Sequence, residues 1–256
     1  MAYVIAVAGK GGTGKTSIAA LTIRYIINRK RKPVLAVDAD SNSCLHEALG
    51  VDVHATIGHM REESLQTIRS GTERPGGMSM EQLFDYQVQQ SIIEAKGFDL
   101  MVMGRPEGPG CYCAANNIIR KYTDKLSETY SYVVIDNEAG MEHLSRRTTH
   151  KVDLLLIISD PTVRGVKTAQ RIAGLVKELN LEVDKHVLII NRVTGEEGKE
   201  LAKLAGELGL DTAGLVPQDN AVFKNDLEGR AIIELPDDSP AVRALYSILD
   251  KFEIAK

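Results

Sequence analysis

Apolar residues fall in short consecutive runs along this chain, and the stretches between the runs carry them at helical spacing. The runs Tyr3–Ala8, Pro33–Val37, Phe98–Met103, Tyr132–Ile135, Leu154–Ile158, His186–Ile190 and Thr212–Val216 are apolar at consecutive rather than alternate positions. That pattern predicts strands covered on both faces, as in a parallel sheet. Between them, Ser17–Arg29 places Ile18, Leu21, Ile26 and Ile27 on one broad face. Asn116–Thr129, Val166–Leu179 and Glu196–Leu208 are similar, with charged outer faces. Pro240 is suited to open a last helix through Phe252. The alternation predicts a doubly wound, mostly parallel α/β sheet flanked by helices, one domain over residues 1–256. The stretch from His54 to Lys96 shows no clear period, and Gly71–Gly77 reads as a loop.

Composition changes this picture little. Of 256 residues, 43% are hydrophobic and 26% charged, which is ordinary and sufficient for one large core. The net charge of -4 offers no basic field to nucleic acid or to an anionic membrane, so neither is expected as a partner. Cys44, Cys111 and Cys113 are too few, and odd in number, for a disulfide scaffold. A reducing cytoplasm suits them, with thiolates free for metals. The N-terminal apolar run has no basic stretch before it and no cleavage site, and it leads straight into glycines. It reads as a buried strand and not a signal peptide. No apolar run approaches the ~20 residues that span a bilayer.

The chemistry begins at that first strand. Gly9-Lys10-Gly11-Gly12-Thr13-Gly14-Lys15-Thr16 match G-x-x-x-x-G-K-S/T between a strand and a helix, the context this phosphate-binding loop requires. Glycines let backbone N–H groups converge on phosphate oxygens without Cβ clashes. The following helix, from Ser17, points its positive end at the same anion. Lys15 is expected to reach the β- and γ-phosphates of ATP or ADP, and the Thr16 hydroxyl to ligate Mg²⁺.

Two strands end in carboxylates. Asp38-Ala39-Asp40-Ser41-Asn42 follow the second strand. Acids at a strand's C-terminal end can hold Mg²⁺ waters or orient an attacking water, although the same residues would also serve as helix caps. Tyr132-Val-Val-Ile-Asp136 has the Walker B shape, an apolar strand and then an acid. A third strand closes on Asn191, and Val216-Pro217-Gln218-Asp219 follow another.

The pair Cys111-Tyr112-Cys113 follows Gly108-Pro109-Gly110. In a regular strand these sulfurs would face opposite ways. The glycines and proline predict a turned loop before a helix, where both sulfurs can converge and the helix dipole favours thiolates. Zn²⁺ or Ni²⁺ would suit such ligands. One chain supplies two sulfurs where structural zinc takes four ligands, so a two-fold dimer would complete the set. The alternative is two inert thiols near a helix start. Cys44 reads as a small packing residue. His143 and His150 read as structural residues of a short helix, and Arg146-Arg147 as a solvated or dimer-facing pair.

The loop with its early lysine resembles the deviant Walker A motif of the ParA/MinD/nitrogenase-iron-protein class. The resemblance implies that Lys10 reaches across a nucleotide-bound homodimer to the partner's ATP. It implies that Asp38 supports the metal shell, that Asp40 positions the hydrolytic water, and that Asn137-Glu138-Ala139-Gly140 form the second switch. Many relatives carry proline where Glu138 stands here. Asn191 would read the adenine and Pro217 would lie in the loop covering it. Asp-x-x-Ala-Gly followed by Met141-Glu142-His143-Leu144, the Cys-x-Cys before a helix, and Ser43-Cys44-Leu45 are similar to the CooC/AcsF nickel-insertion ATPases. This implies an ATPase whose Cys111 and Cys113 share one Ni²⁺ or Zn²⁺ between protomers, serving a client nickel enzyme, carbon monoxide dehydrogenase or acetyl-CoA synthase. Two other classes use the same nucleotide parts: a MinD- or ParA-like positioning ATPase, and a reductase carrying a four-iron, four-sulfur cluster.

Overall fold

The computed structural model describes residues 2–60, 62–63, 77–105, 111–139, 151–179, 181–252 and 254, with the backbone alone at 80, 81, 84 and 111–117. The strands are β1 (Tyr3–Gly9), β2 (Val34–Ala39), β3 (Ile93–Ala95), β4 (Phe98–Val102), β5 (Tyr132–Asn137), β6 (Lys151–Ser159), β7 (Glu182–Val193) and β8 (Thr212–Pro217). Among the described residues they form one sheet in the order β3-β4-β2-β5-β1-β6-β7-β8. All neighbours are parallel except β3, which runs antiparallel to β4. The doubly wound α/β expectation is met.

Burial explains the consecutive apolar runs. In β1, Ile5 and Val7 enter one core while Val4, Ala6 and Ala8 enter the other. The first core lies under α1 (Lys15–Tyr25) and α8 (Pro240–Leu249), through Ile18, Leu21, Val242 and Leu245. The second lies under α4 (Cys111–Leu126), α5 (Val163–Glu178) and α6 (Glu197–Glu207), through Ile119, Ile172 and Leu201. A strand with helices on both faces has no polar side to show in its sequence. Fully burying one such Leu or Ile contributes roughly 1.5–3 kcal/mol.

Several boundaries differ from expectation. Helix α1 starts at Lys15 and passes into a π-helical turn, Ile26–Lys30, before β2. Strand β5 continues to Asn137, whose Nδ2 donates to the Val7 carbonyl at 3.0 Å. Asn137 therefore belongs to the sheet and not to the switch loop expected after Asp136. Helix α4 starts at Cys111, five residues early, and α8 stops at Leu249.

Some elements had no expectation at all: α3 (Met80–Ser91) and α7 (Asn220–Leu227), with β3; the short α2 (Leu45–Leu49) follows the residues that could also serve as helix caps. Helix α3 starts at a capping box, Ser79 with Gln82, which is a local signal. Its body is rich in glutamine, so its apolar stripe is thin. Helix α7 leaves Phe223 63% and Leu227 72% exposed, so its apolar residues do not mark a buried face.

Asp219 joins two helix starts. Its Oδ1 accepts from Ala221 N at 2.8 Å, capping α7, and its Oδ2 accepts from Ser239 Oγ at 2.5 Å and Ala241 N at 3.1 Å, at the start of α8. Ser239 in turn accepts from Val242 N at 3.3 Å. We expect Asp219→Ala to lower stability by about 1–3 kcal/mol, since it removes one cap and loosens a second. Urea denaturation measures this, and an unshifted midpoint would contradict the double-cap assignment.

Candidate active site

The loop from Gly9 to Gly14 leaves the middle of the sheet, where β1 lies between β5 and β6, and runs into α1. Parallel packing sets its first constraint. A Cβ at Gly9 would overlap the Ile158 carbonyl oxygen of β6. Gly14, at φ 89°, caps α1 without any side-chain hydrogen bond, and a Cβ there would lie 2.5 Å from Asn191 Nδ2. The first turn of α1 thus presents N–H groups that no side-chain cap satisfies, the arrangement that receives an anion.

The loop's outward carbonyls are held from the next strands. Asn191 Nδ2 donates to Thr13 O at 2.8 Å, and Arg192 Nη1 donates to Gly12 O at 2.9 Å. Thr13 Oγ1 closes the loop on Lys10 O at 2.9 Å. Arg192 reaches its position from a left-handed backbone, φ 60°. Sequence reasoning missed Arg192, and the only signal was its place beside Asn191 at the end of β7. Asn191, expected to read the base, commits an amide N–H to the loop.

The two lysines differ. Lys15 is buried beneath the loop, whereas Lys10 is exposed and its Nζ lies 4.0 Å from Asp160 Oδ2. Asp160 was also not foreseen. It follows β6, and its Oδ1 accepts from Thr162 Oγ1 at 2.7 Å beside the start of α5.

Two strand-end acids lie side by side. β2 and β5 are neighbours with Asp38 opposite Asp136, and both side chains are almost completely buried. Asp38 Oδ1 accepts from Asp40 N at 3.1 Å and Oδ2 from Leu45 N at 2.9 Å. Burial nevertheless pushes the Asp38 carboxyl up to about 7, helped by the charges of Asp136 and Asp40 and opposed by those two N–H donors. Burial pushes Asp136 up to about 6, against a hydrogen bond from Thr16 and the charge of Lys15. Asp136 Oδ1 is buried with no hydrogen-bond partner. An orphaned carboxylate oxygen beside the Thr16 hydroxyl fits a divalent cation and its waters.

Asp40 is half-buried, and its Oδ1 accepts from Asn42 N at 2.8 Å. Ser41 Oγ donates to Glu138 Oε1 at 3.2 Å. A Cβ at Gly11 would sit 3.5 Å from Ala139 Cβ. Gly140 lies outside the described residues, as do His143, His150 and the Arg146-Arg147 pair.

Beside the loop opens a cleft of about 1060 Å³, lined by Thr16, Ser17, Asn191, Arg192, Pro217 and Gln218 among others. Gln218 N donates to Val193 O at 2.9 Å, fixing the Pro217 segment against β7. Cys44 lines the same cleft and is exposed, so it is not the packing residue expected. Its place on the turn into the short α2 leaves the burial to Leu45 beside it.

Cys111 and Cys113 lie in the first turn of α4. Their side chains are outside the described residues. The backbone there is helical and not the expected turned loop, and helix positions two apart do not face each other. Among the described residues, no group of three or more His, Cys, Asp or Glu could hold a metal ion. Nor is any helix among them long and apolar enough to cross a membrane.

The loop, the paired acids and the cleft belong together in known proteins. Residues 4–232 match the CobQ/CobB/MinD/ParA nucleotide binding domain family. The chain belongs to this family. It is a P-loop ATPase of the MinD/ParA class, for which nucleotide and Mg²⁺ are the expected cofactors. It is 41% identical over 248 residues to an ATP-binding protein of Methanocaldococcus jannaschii, covering 97% of each chain. It is 30% identical over 247 residues to the carbon monoxide dehydrogenase accessory protein CooC of Rhodospirillum rubrum, covering 93% of this chain and 91% of that one. The cell division ATPase MinD of Pyrococcus furiosus superposes with a TM-score of 0.71 over 99% of both chains. At 19% identity, that likeness shows the fold.

With two buried acids, the metal-free protein should lose stability as they ionise. Both carboxyls sit above their ordinary folded-protein range, so the folded state holds protons that the unfolded chain releases. Their stabilisation is complete below about pH 4 and is lost as pH rises through about 6 to 7. We expect the nucleotide-free protein to lose stability from pH 5 to 8 more steeply than Asp38→Asn does. Urea midpoints at both pH values measure this, and equal slopes would refute it.

Proposed function

We propose that the chain is a metallochaperone ATPase that couples Mg-ATP turnover to inserting nickel into carbon monoxide dehydrogenase or acetyl-CoA synthase. The observation that carries this reading is the 30% identity to the CooC accessory protein over most of both chains, taken with the Cys111/Cys113 pair.

In this reading the loop from Gly9 to Thr16, with Ser17, binds the phosphates of ATP. Asn191 and Pro217 enclose the base. Lys15 offsets negative charge from beneath the loop. Thr16, Asp38 and Asp136 would hold Mg²⁺, which would neutralise charge on the transferring phosphoryl group. Asp40 orients a water whose oxygen bonds to the γ-phosphorus as the bond to the β,γ-bridging oxygen breaks, releasing ADP and phosphate. Positioning and electrostatics suffice for this step, without a covalent intermediate.

Lys10 acts between protomers. It leaves Asp160 to reach the partner's nucleotide in a homodimer. An ion pair this exposed contributes at most about 1 kcal/mol, so nucleotide binding can exchange it. Glu138 and Gly140 carry the change to the region ahead of α4, where Cys111 and Cys113 of two protomers bind one Ni²⁺ or Zn²⁺ as cargo.

The fold equally suits a positioning ATPase of the MinD type. Against that reading, α8 already buries its apolar face, Ala241, Val242, Leu245, Ile248 and Leu249, in the core. It has no free apolar side to lay on a membrane.

Replacing both Cys111 and Cys113 by Ser should abolish stoichiometric nickel or zinc while nucleotide binding persists. Metal analysis after gel filtration measures the first, and an ADP-induced rise in melting temperature the second. Metal retained by the double variant would sink the site. Pelleting of the wild type with liposomes in ATP would favour the positioning reading instead.

A further inference from the structure

We propose that Glu138 is a positioning residue for ATP hydrolysis: through its bond to Ser41 it ties the loop after β5 to the loop after β2 and holds Asp40 in place. The inference rests on Asp40 orienting the attacking water, as proposed above.

The register of the sheet brings the two loops together. Ala39 pairs with Asn137 at the last step of the β2–β5 ladder. Asp40-Ser41 and Glu138-Ala139 are then the next residues of each chain segment, leaving the sheet side by side. Ser41 and Glu138 are 97 residues apart in sequence, and their side chains meet at 3.2 Å.

The backbone around Asp40 is tied within its own loop. Its N–H donates to Asp38 Oδ1, and its carbonyl accepts from Ser43 N at 3.1 Å and Ser43 Oγ at 3.2 Å. Those bonds shape the loop but do not place it relative to its neighbour. The Ser41–Glu138 bond is a side-chain tie between the two, and it joins the residue directly after Asp40. Ala139, next to Glu138, lies near Gly11 of the phosphate loop. The link therefore sits where the loops after β2 and β5 approach the phosphate loop.

Chemistry makes Glu138 suited to this. An ionised carboxylate only accepts, so the Ser41 hydroxyl has one sense in which to donate. If Asp40 must hold a water in line for attack on the γ-phosphorus, movement of its loop lowers the rate without weakening ATP binding.

The test is phosphate release by the full chain with Mg-ATP, for Ser41→Ala, Glu138→Ala, the double variant, Glu138→Gln and Asp40→Ala. Removing one such hydrogen bond should lower kcat about three- to tenfold with KM changed less than about twofold. The double variant should be no slower than the slower single variant, because both lose the same bond. Glu138→Gln, whose Oε1 still accepts, should recover most of the rate lost in Glu138→Ala. Losses that multiply in the double variant overturn the proposal. So does a Gln variant as slow as Ala, or a rise in KM with kcat kept. Should Glu138→Ala not fold, Ser41→Ala against Ser41→Thr, which keeps the hydroxyl, gives the same comparison. Asp40→Ala separates the two levels. Unchanged turnover there removes the role given to Asp40. Lost turnover there, with Ser41→Ala and Glu138→Ala at wild-type rate, removes the inference alone.

Discussion

The hydrogen bond from Asn191 Nδ2 to Thr13 O carries more of this structure than its single contact suggests. A phosphate loop turns its N–H groups inward, so its carbonyls face out and need partners. Glycine-rich backbone also loses the most freedom on ordering. The loop cannot hold itself, and the sheet does it instead. Strand β7 supplies Asn191 and Arg192, while β6 brings the Ile158 carbonyl so near Gly9 that no side chain fits between. Those contacts exist only because β1, β6 and β7 are parallel and adjacent, with their C-terminal ends on one edge.

The same edge gathers negative charge. Asp38 and Asp136 are side by side in register, buried, and short of compensating cations. Burying such groups is unfavourable unless something pairs with them. Lys15 and the Thr16 hydroxyl offset part of this at Asp136; two backbone N–H donors do so at Asp38. The remainder is available to a bound cation. A cation bound there would couple its occupancy to the loops that carry the acids. Asp40, Ser41 and Glu138 lie on those loops.

Much of this was legible because parallel strands and phosphate loops have local signatures. Largely apolar consecutive runs marked β1, β2, β4, β5, β6, β7 and β8, and the glycine octet marked the loop. The sequence hid what depends on distant partners. Arg192 and Asp160 became visible only once β6 and β7 flanked the loop. The Ser41–Glu138 bond needed the β2–β5 register. Helix α3 hid behind a glutamine-rich body, and β3 is three residues long, too short to show a period. The turned loop expected at Cys111–Cys113 failed for a different reason. Gly108, Pro109 and Gly110 carried the turn signal, but from Cys111 onward the residues suit a helix, and the helix began there.

In the proposed function, ATP brings two chains together around one metal ion. Light scattering on the wild-type protein, with metal analysis of the same peak, tests this most directly. With a slowly hydrolysed ATP analogue and Mg²⁺, the expected result is the mass of two chains and one nickel or zinc ion per pair. A single-chain mass at saturating nucleotide, or a dimer that holds no metal after nickel loading, would contradict it.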